Sequence, residues 1–211
     1  MVPVSTCTLD DLFEDLGHPN PYVQTEAFLA MVRHHPEASL PRLLQLLDHQ
    51  DVVRRRAAVR ALGAFGERAM LPLAEKFQTS LDGTVRASCV KAYAQIASNV
   101  PGIAFPPEAM EALVAALGDD SPVVGIAAVM ALGQVGEQAL PLLIQACRGA
   151  NEAQAVAAVN AMAGIDHPDV ATCLAELAAI DSTDVYVRES VVSALARVDD
   201  LRSRQASVQS S

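Results

Sequence analysis

The chain contains an internal repeat of about 31 residues, which limits the folds that it can adopt. The segment from Arg54 to Gly63 aligns without gaps to five others, which begin at Val23, Val85, Val124, Gln154 and Val187. Ala61 matches an alanine in every segment, and Leu62 matches a large apolar residue in each. The Leu62-type positions are spaced 31, 31, 39, 30 and 33 residues apart. Such a period is typical of repeat architectures, in which each unit buries its apolar side against the next.

Each repeated segment has the apolar spacing of a helix. Positions 58, 61, 62 and 65 are apolar at i, i+3, i+4 and i+7, which predicts an amphipathic helix. The recurring alanine suits a point where two helix axes cross closely. Glycines at 66 and 136 are placed to end such helices. A further helix is predicted before each segment, at Leu9–Leu16, Glu37–Leu47, Glu67–Gln78, Pro107–Leu117, Glu137–Cys147 and Pro168–Ile180. The predicted fold is therefore all-α, a right-handed α-solenoid of about six helical hairpins.

The predicted organisation is a single repeat domain over residues 1–200, followed by a disordered tail at 201–211. The repeats are placed at 9–35, 36–66, 67–99, 106–136, 137–166 and 167–198. The longest interval between repeats comes from a proline-rich segment at 98–107. Two interpretations of this segment stay open, a loop packed over the helix ends and a protruding contact loop.

Several motifs resemble a known family. The pairs Val85-Arg86 and Val187-Arg188, and the run from Ala131 to Gly136, are similar to HEAT-like repeats of the phycobilisome lyase type, over residues 9–198. The resemblance implies a cyanobacterial module associated with phycobiliproteins, as a bilin lyase subunit or a lyase-like chaperone or degradation factor. It implies a protein partner, either a phycobiliprotein or a lyase partner subunit, and no cofactor beyond a transient bilin. The sequence departs from the family's Val-Arg pattern in three repeats, which carry Gln24, Gly125 and Ala155. A non-enzymatic adaptor or scaffold without a bilin role, for example in iron–sulfur or complex assembly, is the alternative.

The charge balance bears on the classes of partner. The net charge is −10, which is opposite to what a nonspecific nucleic-acid binder needs, so no nucleic-acid partner is expected. Residues 1–100 carry ten basic and eleven acidic side chains, whereas residues 101–211 carry five and fourteen. The N-terminal stretch lacks the pattern of a signal peptide, and the expectation is a cytoplasmic protein without a membrane span.

No catalytic signature stands out in the sequence. Whether the chain is an enzyme is therefore left open, and a catalytic role would be that of a lyase subunit acting with a partner. No metal site is predicted, because the histidines lie in turns without a recurring spacing. Cys89 occupies a core position. Cys147 and Cys173 fall in the first helices of neighbouring repeats, where a redox or metal role stays open.

Two sets of side chains on the second helices are candidates for function. Positions 56 and 60 lie off the apolar stripe and are predicted to point outward on the concave face. The predicted binding residues there are Arg56, Arg60 and Lys91, followed in later repeats by Ile126, Met130, Val156 and Asn160. The alternative for the apolar ones is burial between adjacent second helices. A structural role between repeats is predicted for Arg55, Arg86 and Arg188, each bonding an aspartate of a neighbouring turn such as Asp51 or Asp82.

Overall fold

A computed structural model describes residues 8–180 and 183–209, and within them the chain is all-helical. It divides into two compact units, Met1–Ala116 and Leu117–Ser211. The first unit contains α1 (Leu9–Asp15), α2 (Pro21–His34), α3 (Pro36–Gln45), α4 (Val52–Phe65), α5 (Glu67–Thr79), α6 (Gly83–Asn99) and nearly all of α7 (Pro107–Leu117). The second contains α8 (Pro122–Val135), α9 (Leu140–Cys147), α10 (Glu152–Met162), α11 (Pro168–Ala179) and α12 (Val185–Gln209). The predicted all-α class and the pairing of helices are confirmed.

The starts of the second helices repeat with the predicted period. The residues immediately before α2, α4, α6, α8, α10 and α12 are spaced 31, 31, 39, 30 and 33 residues apart, the same intervals as the Leu62-type positions. Five of these six residues cap their helix through the side chain. The side-chain oxygen accepts a hydrogen bond from the backbone N–H two or three residues further on; the five are Asn20, Asp51, Asp82, Asn151 and Asp184. Each such bond satisfies a donor that the first helical turn leaves free.

A second position in these turns also recurs. The residue two places before the cap accepts the cap's backbone N–H through its side chain, at distances of 2.9 to 3.2 Å; these residues are His18, His49, Ser80 and Asp119. A histidine, a serine and an aspartate can all supply such an acceptor. The structure therefore gives His18 and His49 a local role in shaping the turn before a helix.

The apolar stripe of the second helices lies in the core. The Ala58-type position is buried in all six repeats; its residues are Ala27, Ala58, Cys89, Ala128, Ala158 and Val191. In the first unit α4 packs between α2 and α6, and in the second α10 packs between α8 and α12. A Cβ atom added to Gly133 would lie 2.8 Å from the Cβ of Ala161. The recurring alanine thus lies where neighbouring second helices approach closely, as the pattern predicts.

The helix ends follow the sequence at some points and differ from it at others. Gly66 and Gly136 adopt φ values of 59° and 79° at the ends of α4 and α8, a backbone that favours glycine. By contrast, α12 continues through Gln209, whereas a disordered tail is expected from residue 201. The reason is local, because residues 201–209 contain leucine, arginine, glutamine and alanine and neither proline nor glycine. Residues 210 and 211 lie outside the described part of the chain.

The proline-rich segment at 98–107 packs against the first unit. The Phe105 ring is buried and lies 5.7 Å from the Tyr93 ring, measured between ring centroids. The Tyr93 hydroxyl in turn donates a hydrogen bond of 2.9 Å to the backbone carbonyl of Met70 in α5. Of the two interpretations of this segment, the contacts favour a loop packed over the helices.

One stretch, Pro122–Cys147, is long and apolar enough to span a membrane by length and composition alone, although no such stretch was expected. It is not a single straight helix, because the chain leaves α8 at Gly136, forms a short 3₁₀ turn at Gly136–Ala139 and continues as α9. Many of its apolar residues, among them Leu132 and Leu143, are buried by α8 and α9 in the second unit, whereas Val123 and Met130 are exposed. Much of the apolarity of this stretch thus belongs to a helical-hairpin core.

Candidate protein-binding surface

In the first unit the three predicted cationic residues have different surroundings. Arg56 on α4 and Lys91 on α6 are exposed, and neither makes a hydrogen bond or ion pair with another described residue. Arg60 is half-buried, and its Nη2 donates a hydrogen bond to Oε1 of Gln24 on α2. The Nε of Arg60 is buried without a hydrogen-bond partner in the described residues. Arg56 and Lys91 are therefore free to meet a ligand, whereas Arg60 is engaged in joining two helices.

In the second unit the four predicted residues divide in a similar way. Met130 on α8 is exposed, with 63% of its surface accessible, whereas Ile126 and Val156 are half-buried. Asn160 on α10 is exposed but already bonded, since its Nδ2 donates to the carbonyl of Val156 and its Oδ1 accepts from Arg197 on α12 at 2.6 Å. Met130 is therefore more exposed than Ile126, the other predicted residue on α8.

The arginines predicted to join repeats bond backbone carbonyls close to their own helices. Arg55 Nη1 donates to the carbonyl of His49 at 2.7 Å, and Arg86 Nη1 donates to that of Ser80 at 3.2 Å. Arg188 Nη2 lies 3.4 Å from the carbonyls of both Ile180 and Thr183. These carbonyls belong to the chain that leads from the first helix of each hairpin to the second. The arginine thus closes the turn of its own repeat.

Arg55 also acts on the next repeat through its charge. The pKa of Asp82 is lowered, mainly by the backbone N–H of Thr84 and to a smaller extent by the positive charge of Arg55. Asp82 is the cap of α6, so Arg55 lies close enough to stabilise the carboxylate at the start of the following second helix. The predicted bond from Arg55 to Asp51 or Asp82 stays a prediction, because the hydrogen bond that Arg55 makes goes to the carbonyl of His49.

Two glutamines replace missing arginines, and the sequence alone did not reveal this. Gln24 stands at the Arg55-type position of the first repeat, and its Nε2 donates to the carbonyl of His18 at 2.6 Å. In the fourth repeat this position is Gly125, and Gln154 of the next repeat donates to the carbonyl of Leu117 at 2.9 Å. A Cβ added to Gly125 would lie 2.5 Å from Nε2 of Gln154. The glycine thus leaves the space through which Gln154 reaches that carbonyl.

Three ion pairs between neighbouring repeats involve residues that the sequence analysis did not single out. Arg42 on α3 pairs with Asp10 on α1 at 2.8 Å, and its guanidinium lies 3.9 Å from the centre of the Phe13 ring. Lys76 on α5 pairs with Asp48 in the preceding turn. In the second unit Arg148 pairs with Glu176 on α11 at 2.5 Å. Their charges lie 28 to 32 residues apart, about one repeat, which is the only signal in the sequence for these pairs.

The structure brings two cysteines into contact. The Sγ atoms of Cys147 at the end of α9 and Cys173 on α11 lie 3.7 Å apart, and both residues are buried. Cys89 is buried by itself in the core, and burial raises the pKa of its thiol to about 12. In the described part of the chain, no group of three or more His, Cys, Asp or Glu side chains converges in a way that could hold a metal ion.

Comparison with known proteins agrees with the repeat pattern. Residues 9–94 and 94–158 match a family model described as HEAT repeats. The chain is 37% identical over 182 residues to the "Bilin biosynthesis protein CpeZ" of Synechococcus sp. (strain WH8020), covering 83% of this chain and 98% of that protein. It is also 37% identical over 193 residues to the "Uncharacterized phycocyanin operon protein Z" of Pseudanabaena tenuis (strain PCC 7409), covering 91% and 96%.

A solved structure of an engineered protein supports the fold alone. It superposes with a TM-score of 0.50 at 20% identity, covering 92% of this chain and 100% of the engineered one. The two relatives support more than the fold, because the match extends over almost their entire length. The chain belongs to the HEAT-repeat family, and within it to the group of related proteins that includes the bilin biosynthesis protein CpeZ and the phycocyanin operon protein Z.

Proposed function

We propose that this protein binds phycobiliproteins and acts in the attachment or removal of their bilins, as a bilin lyase subunit or a lyase-like factor. The observation that carries the proposal is the 37% identity to a protein named for bilin biosynthesis, over 98% of that protein's length. A helical-repeat scaffold by itself fits many functions. Identity over almost the entire length of that protein supports a shared role as well as a shared scaffold.

The exposed side chains suit such a ligand. A bilin carries two propionates on a flat, apolar tetrapyrrole. The guanidinium of Arg56 is able to form charge-assisted hydrogen bonds to a carboxylate, and Lys91 supplies a second positive charge in the same unit. A surface helix of a phycobiliprotein that carries acidic residues would use the same two charges. The second unit, considered by itself, presents the exposed thioether of Met130, which offers a separate, flexible apolar contact.

In this proposal the chain holds and orients its ligand. The thiol that takes the bilin belongs to the phycobiliprotein, so covalent attachment needs no nucleophile from this chain. A second protein subunit completes the lyase, and the cytoplasm is the proposed location. The residues that matter are then those that contact the bilin or the apoprotein.

The test uses purified full-length protein, an apo-phycobiliprotein subunit and free bilin. We expect binding of the apoprotein, together with a shift of the bilin's visible absorption. Addition of the lyase partner subunit should produce a covalent bilin adduct, seen as zinc-dependent fluorescence in a denaturing gel. A parallel sample starts from the chromophore-bearing subunit, and loss of its absorption would assign the protein to bilin removal. Absence of phycobiliprotein binding together with absence of a bilin shift would overturn the proposal in favour of an adaptor without a bilin role.

A charge-reversed variant connects this binding to the exposed residues. Arg56→Glu with Lys91→Glu should weaken binding at least tenfold, because each reversal replaces an attraction to carboxylates by a repulsion. Arg33→Glu with Arg68→Glu is the matched control, since it makes the same change of net charge at two other exposed positions. Equal affinity of the two variants would show that the partner binds elsewhere.

A further inference from the structure

The cysteine pair of the second unit lies where two repeats meet. Cys147 is the last residue of α9, and Cys173 lies in the middle of α11, the first helix of the next hairpin. The contact of 3.7 Å between their Sγ atoms is that of two thiols sharing a hydrogen bond. Cys147 Sγ also lies 3.1 Å from the carbonyl of Ile144 in its own helix. The chain thus positions two sulfurs, 26 residues apart in sequence, side by side.

The surroundings of the pair distinguish the two sulfurs. A hydrogen bond from Cys147 lowers the pKa of Cys173 to about 7, and the charge and hydrogen bond of Arg148 act in the same direction. Burial and the carboxylate of Glu176 oppose the shift. The same hydrogen bond, with burial, raises the pKa of Cys147. Cys173 is therefore the sulfur that is partly a thiolate near neutral pH, the form that attacks a disulfide.

Access to the pair is controlled by exposed groups. Arg148 and Glu176, which pair at 2.5 Å beside the sulfurs, have side chains that are 49% and 56% exposed. The turn that follows Cys147, at residues 149–151, is also exposed. Rotation of these surface side chains is the route by which a small reagent would approach the sulfurs. This distinguishes the pair from Cys89, which lies in the Ala58-type row of the core.

We propose that Cys147 and Cys173 form a dithiol modification site, which a small-molecule disulfide of the glutathione type oxidises to an intramolecular disulfide. The thiolate of Cys173 attacks one sulfur of the oxidant, forms a mixed disulfide and releases one thiolate. Cys147 then loses its proton to water, attacks Sγ of Cys173 and releases the second thiolate, and the released thiolates equilibrate with water to give thiols. Two electrons pass from the pair to the oxidant, so one disulfide is formed and one is reduced to two thiols.

The geometry makes the second step short. A disulfide has an S–S length of about 2.05 Å, so the two sulfurs approach by about 1.7 Å from their present contact. Cys147 is at the end of its helix, where movement disturbs few helical hydrogen bonds. The new bond would join α9 to α11 at the place where the ion pair between Arg148 and Glu176 already joins them. Oxidation would therefore fasten the last two hairpins of the second unit to each other.

The experiment is equilibration of the full chain in buffers of reduced and oxidised glutathione, followed by acid quenching, tryptic digestion and mass spectrometry. All samples carry Cys7→Ser, which removes the cysteine that lies outside the described residues. Arg148 is the only basic residue between Lys91 and Arg188, so trypsin separates the two cysteines into peptides 92–148 and 149–188. We expect these peptides linked by a disulfide, with a loss of two hydrogens from the intact mass. Absence of the linked peptides under oxidising conditions that leave the protein folded would overturn the proposal.

Three variants identify the order of the steps. Cys147→Ser should trap glutathione on Cys173, whereas Cys173→Ser should slow the reaction with glutathione at least tenfold. Cys89→Ser should leave formation of the linked peptides unchanged. Trapping of glutathione on Cys147 instead would refute the assignment of Cys173 as the attacking sulfur. A stable glutathione adduct in the protein that retains both cysteines would refute the pairing itself.

Discussion

Gly63 offers a sharp test of how closely second helices approach each other. It lies on α4, and a Cβ atom added there would lie 2.5 Å from the Cβ of Gln95 on α6. The backbone carbonyl carbon of Gln95 would lie 3.3 Å away. A Cβ is fixed to the backbone, so a rotation of the Gln95 side chain does not relieve this clash. Gly63→Ala must therefore move the two helices apart.

The expected cost is a balance of two terms. Carbon atoms pack at about 3.5–4.0 Å, so the helices must separate by about 1 Å or more at this point. Overpacking of this kind costs about 1–3 kcal/mol, and a contact between two backbone-fixed atoms belongs at the upper end. Alanine recovers about 1 kcal/mol, because it is a better helix former than glycine. The net loss of unfolding free energy is therefore about 2 kcal/mol, which corresponds to a fall in Tm of about 4–8 °C.

The assay is thermal unfolding followed by circular dichroism. Gly164→Ala is the control, because a Cβ there meets only the carbonyl oxygen of Ala161 at 3.7 Å. The double variant Gly63→Ala with Gln95→Gly removes the facing Cβ and should recover part of the loss beyond additivity. A Tm of Gly63→Ala at or above that of the unmodified protein would refute the close approach of α4 and α6.

Four further outcomes are expected. Gln154→Ala should lower the unfolding free energy by about 1 kcal/mol, because the carbonyl at the end of α7 loses its donor; unchanged urea unfolding would contradict that bond. Tyr93→Phe should cost about 0.5–1.5 kcal/mol through loss of a buried hydrogen bond to α5, measured in the same way. Arg60→Ala should destabilise more than Arg56→Ala, because only Arg60 is bonded to α2, and equal Tm values would refute this difference. The pKa of Cys173 is about 7, whereas the ordinary value for a cysteine thiol is 9. Its thiolate should therefore add to the unfolding free energy as pH rises from 7 to 9 and add nothing below pH 7. The measurement is the difference in Tm between the unmodified protein and Cys173→Ser at each pH.

The fold could be predicted because its determinants are local and periodic. The Ala58-type row is buried in every repeat, and the caps of the second helices repeat at the predicted intervals. Burial of this row depends only on the position of a residue within its own repeat. The Val59-type row shows the limit of this reasoning, since Val90 and Val159 are buried but Val192 is 63% exposed. Val192 lies on α12, where no other helix of the described residues covers it.

The contacts of the candidate site could be predicted only in part, because they depend on pairs of residues in different repeats. The alignment records Gly125 as the loss of an arginine, but it does not show that Gln154 of the next repeat takes over the hydrogen bond. Likewise it places Cys147 and Cys173 on neighbouring first helices, but the distance of 3.7 Å depends on how α9 and α11 pack. Long side chains reach across repeats in ways that a register alone does not fix.

This difference bears on which outward residues are able to serve a partner. The seven predicted binding residues occupy only two positions of the repeat register, yet their contacts make them unequal. Arg60 and Asn160 are hydrogen-bonded to neighbouring second helices. A partner that binds either side chain would first have to break that contact. Arg56, Lys91 and Met130 have no such contact to lose. The net binding free energy is the energy of the new contacts minus the cost of the contacts that are broken. A substitution at one of these three positions should therefore change affinity with the least change in stability.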